Sequence, residues 1–423
     1  MTTQQSSRSG LMLLAILIVA CCGAALAQEP ATPAQEPATQ QYHVFNLSSL
    51  GGTVSRGYSV NNRGWVAGYS NLPGNPSRHA TLWRDGLVVD LGTLGGPNSS
   101  VAWPVKNNRG VVVGIAQTAK PDPLGERWSC SAFFTGPNSA GFTCRGFVWE
   151  KGMMKALPTL GGNNGFATAA NNRGLIVGWA ENTVRDPTCV APQVLQFRAV
   201  IWRLERRQIQ ELPPLPGDTS TAATAINDKG QVVGISGTCD QAVGRHTARH
   251  AVIWEDGAVT DIGNIGGETW NTPMAINQQG DVVGFGALAG SAPDAPILRA
   301  FIWTKKGGIR NLGTLPGDTS SEAFGINELG QVVGRSCGPS GCRAFLWENN
   351  VMKDLNMLKA PDYIPVLELA NDINDLGEIT GRAIDSRTNE RPAFLAIPRD
   401  CLDSNETVSS EARAKVIPPK DMR

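Results

Sequence analysis

The sequence is short of the groups that most chemistry needs. Four histidines stand in 423 residues, at positions 43, 79, 246 and 250, which limits acid–base and metal work from the outset. Gly-x-Ser-x-Gly, His-Glu-x-x-His and phosphate-loop patterns are missing, so no nucleophile elbow, zinc-protease helix or nucleotide cradle is signalled. The cysteines never take the paired C-x-x-C spacing of a structural zinc site. Charge of either sign is not in excess: 37 Lys and Arg balance 37 Asp and Glu, with no basic run. Nucleic acid and anionic membrane surfaces are therefore excluded as expected partners. No long helical period occurs, and the one apolar run, Leu11–Ala20, is about half the ~20 residues that span a bilayer.

That run, preceded by Arg8, reads as an export signal. Two processing sites fit it. Ala25-Leu26-Ala27 has the small–x–small form for a cut after a 1–27 signal peptide. Ile18-Val19-Ala20-Cys21 has the form of a lipobox, which would leave a lipid-anchored Cys21. Either route places the protein outside the cytoplasm, in the extracellular space or periplasm or at the cell envelope. Residues 28–41 double the element QEPAT and read as a flexible linker; 399–423 read as a polar C-terminal tail.

What the chain has in quantity is repetition. TAINDKGQVVG (224–234) has six near-copies: YSVNNRGWVAG (58–68), WPVKNNRGVVVG (103–114), ATAANNRGLIVG (167–178), PMAINQQGDVVG (273–284), AFGINELGQVVG (323–334) and NDINDLGEITG (371–381). Each reads as two short strands, b and c, joined at Asn-x-x-Gly, where the Asn amide can bond the turn backbone and Gly can take positive φ. Segment a recurs as VVDLGTLGG (88–96) and its relatives, segment d as RAFIW (299–303) and its relatives. Asp85-Gly86 and Asp256-Gly257 mark tight hairpins from d to a. The a-to-b link is short, whereas c-to-d varies from the brief 335–342 to the long 115–144.

Three tight links and one loose one predict a four-stranded meander, with c-to-d crossing to the next sheet. Seven such sheets over 42–398 make an all-β, seven-bladed β-propeller of antiparallel blades. A repeat of about fifty residues is blade-sized, against roughly 20–30 for a β-helix. In the d-a-b-c frame the ring closes by pairing the C-terminal strand with the N-terminal three.

The segments x-A-F-[LI]-W, D-L-G-T-L-G-G and I-N-x-x-G-x-V-V-G, in one order seven times over 44–396, resemble the HAF repeats of bacterial extracellular proteins. The name-giving His stands only at His79 and His250. The resemblance implies an exported, propeller-like repeat protein and transfers no catalytic residue.

Alternating strand direction puts the a-to-b and c-to-d links on one face and the near-identical turns on the other. Binding sites favour divergent loops on a rigid scaffold, so the loop face is the expected site. Arg127, Trp128, Phe133 and Phe134 on the 115–144 loop and Trp270 on an a-to-b link are the candidate ligand contacts, with packing of the loop on its own blade as the competing role. Six of the seven mature cysteines fall on that face and pair as Cys130–Cys144, Cys189–Cys239 and Cys337–Cys342, leaving Cys401. The Trp ending segment d in six copies (83, 149, 202, 254, 303, 347) is expected between blades rather than at a ligand. The seventh copy has Ala396, so the closing blade should be the least well packed. Acids beside the Asn-x-x-Gly turns are too few for calcium. No catalytic residue, metal or cofactor is assigned. The expected activity is binding of an extracellular protein or glycan by a monomer, with an extracellular polysaccharide hydrolase or lyase, its acids at the channel mouth, as the alternative.

Overall fold

A computed structural model describes residues 42–399 apart from 127–129, 131–132, 135–140, 207, 240–247 and 293–294. The signal peptide, the linker, Arg127, Trp128 and Cys401 lie outside the described residues. Seven four-stranded antiparallel sheets form a seven-bladed propeller. Blade 1 comprises Ser55–Val60, Val66–Asn71, Arg78–Arg84 and Leu87–Asp90, from the axis outward. Blades 2 to 6 repeat this order, with inner strands Gly95–Ser100, Gly165–Ala170, Ser220–Ile226, Thr272–Ile276 and Ser320–Ile326.

Each blade is therefore b-c-d-a. The long c-to-d links are hairpins inside a blade, and the short a-to-b link is the crossover, the reverse of the sequence expectation. The outermost a strand needs only a few residues to reach the next inner strand, so loop length did not mark the boundary. The ring does close by pairing the two ends of the chain. Blade 7 takes Val366–Ile373, Ile379–Ile384 and Ala393–Pro398 from the C-terminal side and Tyr42–Asn46 from the N-terminal side, with Val44 opposite Ala396. The division is thus one N-terminal strand with three C-terminal strands, not three with one.

The turn chemistry acts as its residues dictate. Asn227 Oδ1 accepts from the N–H groups of Lys229 (3.1 Å) and Gln231 (3.0 Å), and Gly230 turns at φ 88°. The d-to-a hairpins use left-handed pairs, Asp85-Gly86 (φ 51° and 75°) and Asp256-Gly257 (52° and 82°), as a type I′ turn requires. The tryptophans of segment d pack between blades. Trp83, Trp202 and Trp254 donate their Nε1–H to Ser48, Pro158 and Pro213, which lie on the preceding blade's crossover, at 2.6, 2.9 and 2.7 Å. An indole buried on both faces adds ~1.5–3 kcal/mol or more to each blade contact. In blade 7, Ala396 packs instead with Tyr42, Leu355 and Leu358. The three expected disulfides, Cys130–Cys144, Cys189–Cys239 and Cys337–Cys342, are all present, and the second joins blades 3 and 4.

Candidate functional site

The two ends of the central channel differ. At the turn end, the residue after each motif Asn closes a circular set of hydrogen bonds. The backbone N–H of Asn62 donates to Asn108 Oδ1, Asn108 to Asn172, Asn172 to Asp228, Asp228 to Gln278, Gln278 to Glu328, Glu328 to Asp375 and Asp375 back to Asn62. A second tier lies beneath: Asn61, Asn171, Asn227, Asn277, Asn327 and Asn374 each donate Nδ2–H to the motif Asn carbonyl of the next blade. Asn107 breaks this tier by turning its amide to Val111 O at 2.8 Å. The motif Asn therefore serves its own turn and the neighbouring blade together.

This ring surrounds a cavity of about 70 Å³ with Lys106 in its wall. Six blades place Val60, Ala170, Ile226, Ile276, Ile326 and Ile373 where blade 2 has Lys106. Pairing in blade 2 ends at Ser100 with Ile115, and Pro104, which cannot donate to a strand ladder, lies within the unpaired stretch that follows. The segment 101–106 leaves the sheet and carries Trp103 and Lys106 to the axis. Lys106 Nζ bonds the carbonyls of Ile326 and Ile373 and lies 3.1 Å from Asp372 Oδ1. The Asp372 side chain is wholly buried and also accepts from the N–H groups of Val60 and Ile373. Burial raises its pKa, and Lys106 acts against that shift. This is a strut between blades 2, 6 and 7: Asp372 is closed to solvent, while the Lys106 side chain, 27% exposed, lines the cavity.

The loop end is built from one register position. The residue after the c-strand Gly is Tyr69, Ile115, Trp179, Ile235, Phe285, Arg335 or Arg382 in blades 1 to 7. Its inner-strand partners include Arg56, Phe166, Ala222, Thr272, Glu322 and Leu369. Blades 2 to 5 carry no charge at this pair of positions, which holds Ser100 and Thr272 beside aliphatic and aromatic groups, while blades 6, 7 and 1 carry charge. Arg335 forms a two-pronged pair with Glu322 (2.8 and 3.0 Å), and Arg382 binds Glu368 at 2.8 Å. Arg56 donates Nε–H to the buried Asn371 (2.8 Å) and lies 4.3 Å over the Tyr58 ring. Burial, then the guanidiniums of Arg382 and Arg335, hold its pKa below the ordinary arginine value.

Opposite stands an aromatic wall. Trp103 packs edge-on to Phe133 (5.9 Å) and Phe166 (5.5 Å), with Phe133 to Phe166 at 4.7 Å. Trp103 also packs against the cluster of Met274, Phe285 and Phe324 from blades 5 and 6, so it crosses the axis and floors the mouth. Of the candidate contacts, Phe133 lies at this wall and receives Arg78 Nη1 on its carbonyl at 3.3 Å. Trp270 joins the Met274 cluster at φ 61°. Phe134 is 1% exposed and packs beneath the loop with Cys130 and Cys144. Sequence reasoning missed Arg56, Tyr58, Trp103, Arg335 and Arg382. The repeat held a partial signal: Trp103 stands where five copies have Gly or Ala, and Arg335 and Arg382 stand where the other five have aliphatic or aromatic residues, whereas the positions of Arg56 and Tyr58 vary from copy to copy.

A pair of carboxyls, Glu126 and Glu181, clamps the long loop to blade 3. Gln193 Nε2 donates to Glu126 Oε1 (3.2 Å) and Glu181 Oε1 (3.0 Å), while Glu126 Oε1 also accepts from Leu195 N at 2.6 Å. Burial, then the neighbouring Glu126, raise the pKa of Glu181 to about 7. Both carboxyls are closed to solvent, at 1% and 0% exposure, so the pair acts as a clamp rather than as an acid–base couple for a polymer.

The imidazoles that start segment d pair with acids of the outer strand: His79 with Asp90 at 2.8 Å and His250 with Asp261 at 2.9 Å. Among the described residues no cluster of three or more metal-ligating side chains occurs, and no helix is long and apolar enough to cross a membrane.

No family model matches the chain, and no curated protein does. Among solved structures, the chain is similar to virginiamycin B lyase from Staphylococcus aureus at 12% identity and a TM-score of 0.46, over 85% of this chain and 99% of that one. A likeness of that size does not bear on the site.

Proposed function

We propose that this chain is an exported binding module that holds an extracellular ligand at the loop-end mouth of its channel. The observation that carries the reading is the division of one cross-strand pair of positions into an arc of blades that carries charge and an arc that carries none, around a Trp floor. A recognition surface needs polar groups to orient a ligand and apolar faces to hold it, and this end of the channel supplies both. Three disulfides fit an oxidising compartment. The enzymatic alternative draws less support, because the mouth acids Glu322 and Glu368 are each tied to an arginine of the adjacent strand and an acid so held is poorly placed to move a proton.

The test is a glycan and protein array probed with the native chain and with Tyr58→Ala and Trp103→Ala, with released products followed by mass spectrometry. Binding without turnover, lost in both variants, is the expected result. Shortened products would replace this reading with the enzymatic one.

A further inference from the structure

We propose that the mouth takes a glycan bearing hexuronate residues, the sugar carboxylate on the Arg56 guanidinium and the sugar ring against Tyr58 and Trp103. The inference rests on the mouth being the binding site. Its starting point is an imbalance of charge. Arg335 and Arg382 are each neutralised by a glutamate, whereas Arg56 makes no ion pair among the described residues. Its Nε is used by Asn371, its face by Tyr58, and its terminal nitrogens have no partner among the described residues. A guanidinium fixed from below, with its fork open, is preorganised for a planar carboxylate.

Two further groups ask for a hydroxyl-rich ligand. Trp103 Nε1 and Thr272 Oγ1 are buried without a hydrogen-bond partner among the described residues, and such orphans are costly. Trp103 floors the mouth, and Thr272 occupies in blade 5 the register place that Arg56 has in blade 1. A sugar ring offers hydroxyls in several directions from one rigid body, and its C–H face packs on aromatic rings such as half-buried Tyr58 and Trp103. An acidic peptide is less suited. Peptides seat best in a long groove or along a free strand edge, and the inner strands here face each other around a filled axis.

The experiment titrates the mature chain with oligogalacturonate, following tryptophan fluorescence and heat, beside its methyl-esterified form and oligoglutamate. Arg56→Gln should weaken oligogalacturonate binding by roughly tenfold or more, as loss of a desolvated charge partner does, and Arg56→Lys should restore part of it. Arg203→Gln, on the third strand of blade 3, should leave it unchanged. Salt should weaken it. Equal binding of the methyl ester overturns the carboxylate assignment while leaving the mouth as a binding site. Equal binding of oligoglutamate overturns the sugar assignment. Affinity unchanged in Arg56→Gln, with its melting temperature also unchanged, overturns the role of Arg56. If no uronate binds but another array ligand is lost in Tyr58→Ala, the uronate inference falls and the binding module stands.

Discussion

The two ends of the channel are made by the same strands, yet only one of them is uniform. At the turn end every blade must give a hydrogen bond to one neighbour and receive one from the other, so each copy answers to two constraints and the Asn-x-x-Gly motif cannot drift. At the loop end the same strands meet nothing that repeats, and the side chains diverge into a charged arc and an aromatic arc. The difference teaches where to look in such a protein. Faithful repetition marks what holds the ring shut, and departures from the repeat mark either a strut, as at Lys106, or a recognition surface.

This contrast can be broken by experiment, beginning with the strut. Lys106→Met leaves Asp372 buried and uncompensated, and should cost about 3–5 kcal/mol in chemical denaturation. The double change Lys106→Met with Asp372→Leu should recover most of it. A loss below ~1 kcal/mol would mean that the axis is wetter than the hydrogen bonds imply.

The Glu181 clamp gives the next effect, and it belongs to the loop end. The pKa of Glu181 in the fold is about 7, above the ordinary glutamate value of ~4.3. Its contribution is therefore fully present below pH ~4.3 and is lost as pH rises through about 7, on the order of 3 kcal/mol in all. Stability measured from pH 4 to 8 should fall more steeply in the native chain than in Glu181→Gln; parallel curves would refute the clamp.

Asn227→Ala removes the Oδ1 that accepts two turn N–H groups and the Nδ2–H bond to the Asn277 carbonyl, and should cost about 2 kcal/mol, seen as a lower melting temperature with ligand binding intact. Smallest of all, Arg56→Gln should change stability by less than ~1 kcal/mol, because the lost bond to Asn371 is offset by removing a buried charge that has no counter-ion among the described residues, while binding of oligogalacturonate weakens by roughly tenfold or more. If Asn227→Ala abolished binding and left stability alone, the division of labour between the ends would be wrong.

Much of this was readable from the chain. Strand identity, blade number and the three disulfides follow from periodicity, turn residues and the parity of links. The blade boundary was not readable, because the length of a link does not say whether it stays in a sheet or crosses out of it. The circular bonding was hidden for a different reason. An Asn that bonds its own turn looks the same in sequence whether or not its free N–H reaches the next blade, as Asn171 does and Asn107 does not. At the mouth, Phe133 could be placed from loop aromatics, but Arg56, Arg335 and Arg382 sit inside strands, where a charge reads as an ordinary solvent-facing position until the ring brings three blades together.

The pairing of Tyr42–Asn46 with Ala393–Pro398 has a consequence in time. The outer strand of blade 7 is the first of the described strands to be synthesised and the last to find its partner. Until residue 398 has emerged, Tyr42 has no sheet to join and blade 1 lacks the neighbour that receives the Trp83 indole. A chain cut short anywhere in its last blade thus keeps one open strand edge at each end of an arc. Blade 7 works as a checkpoint: the ring can close only once the chain has reached Pro398.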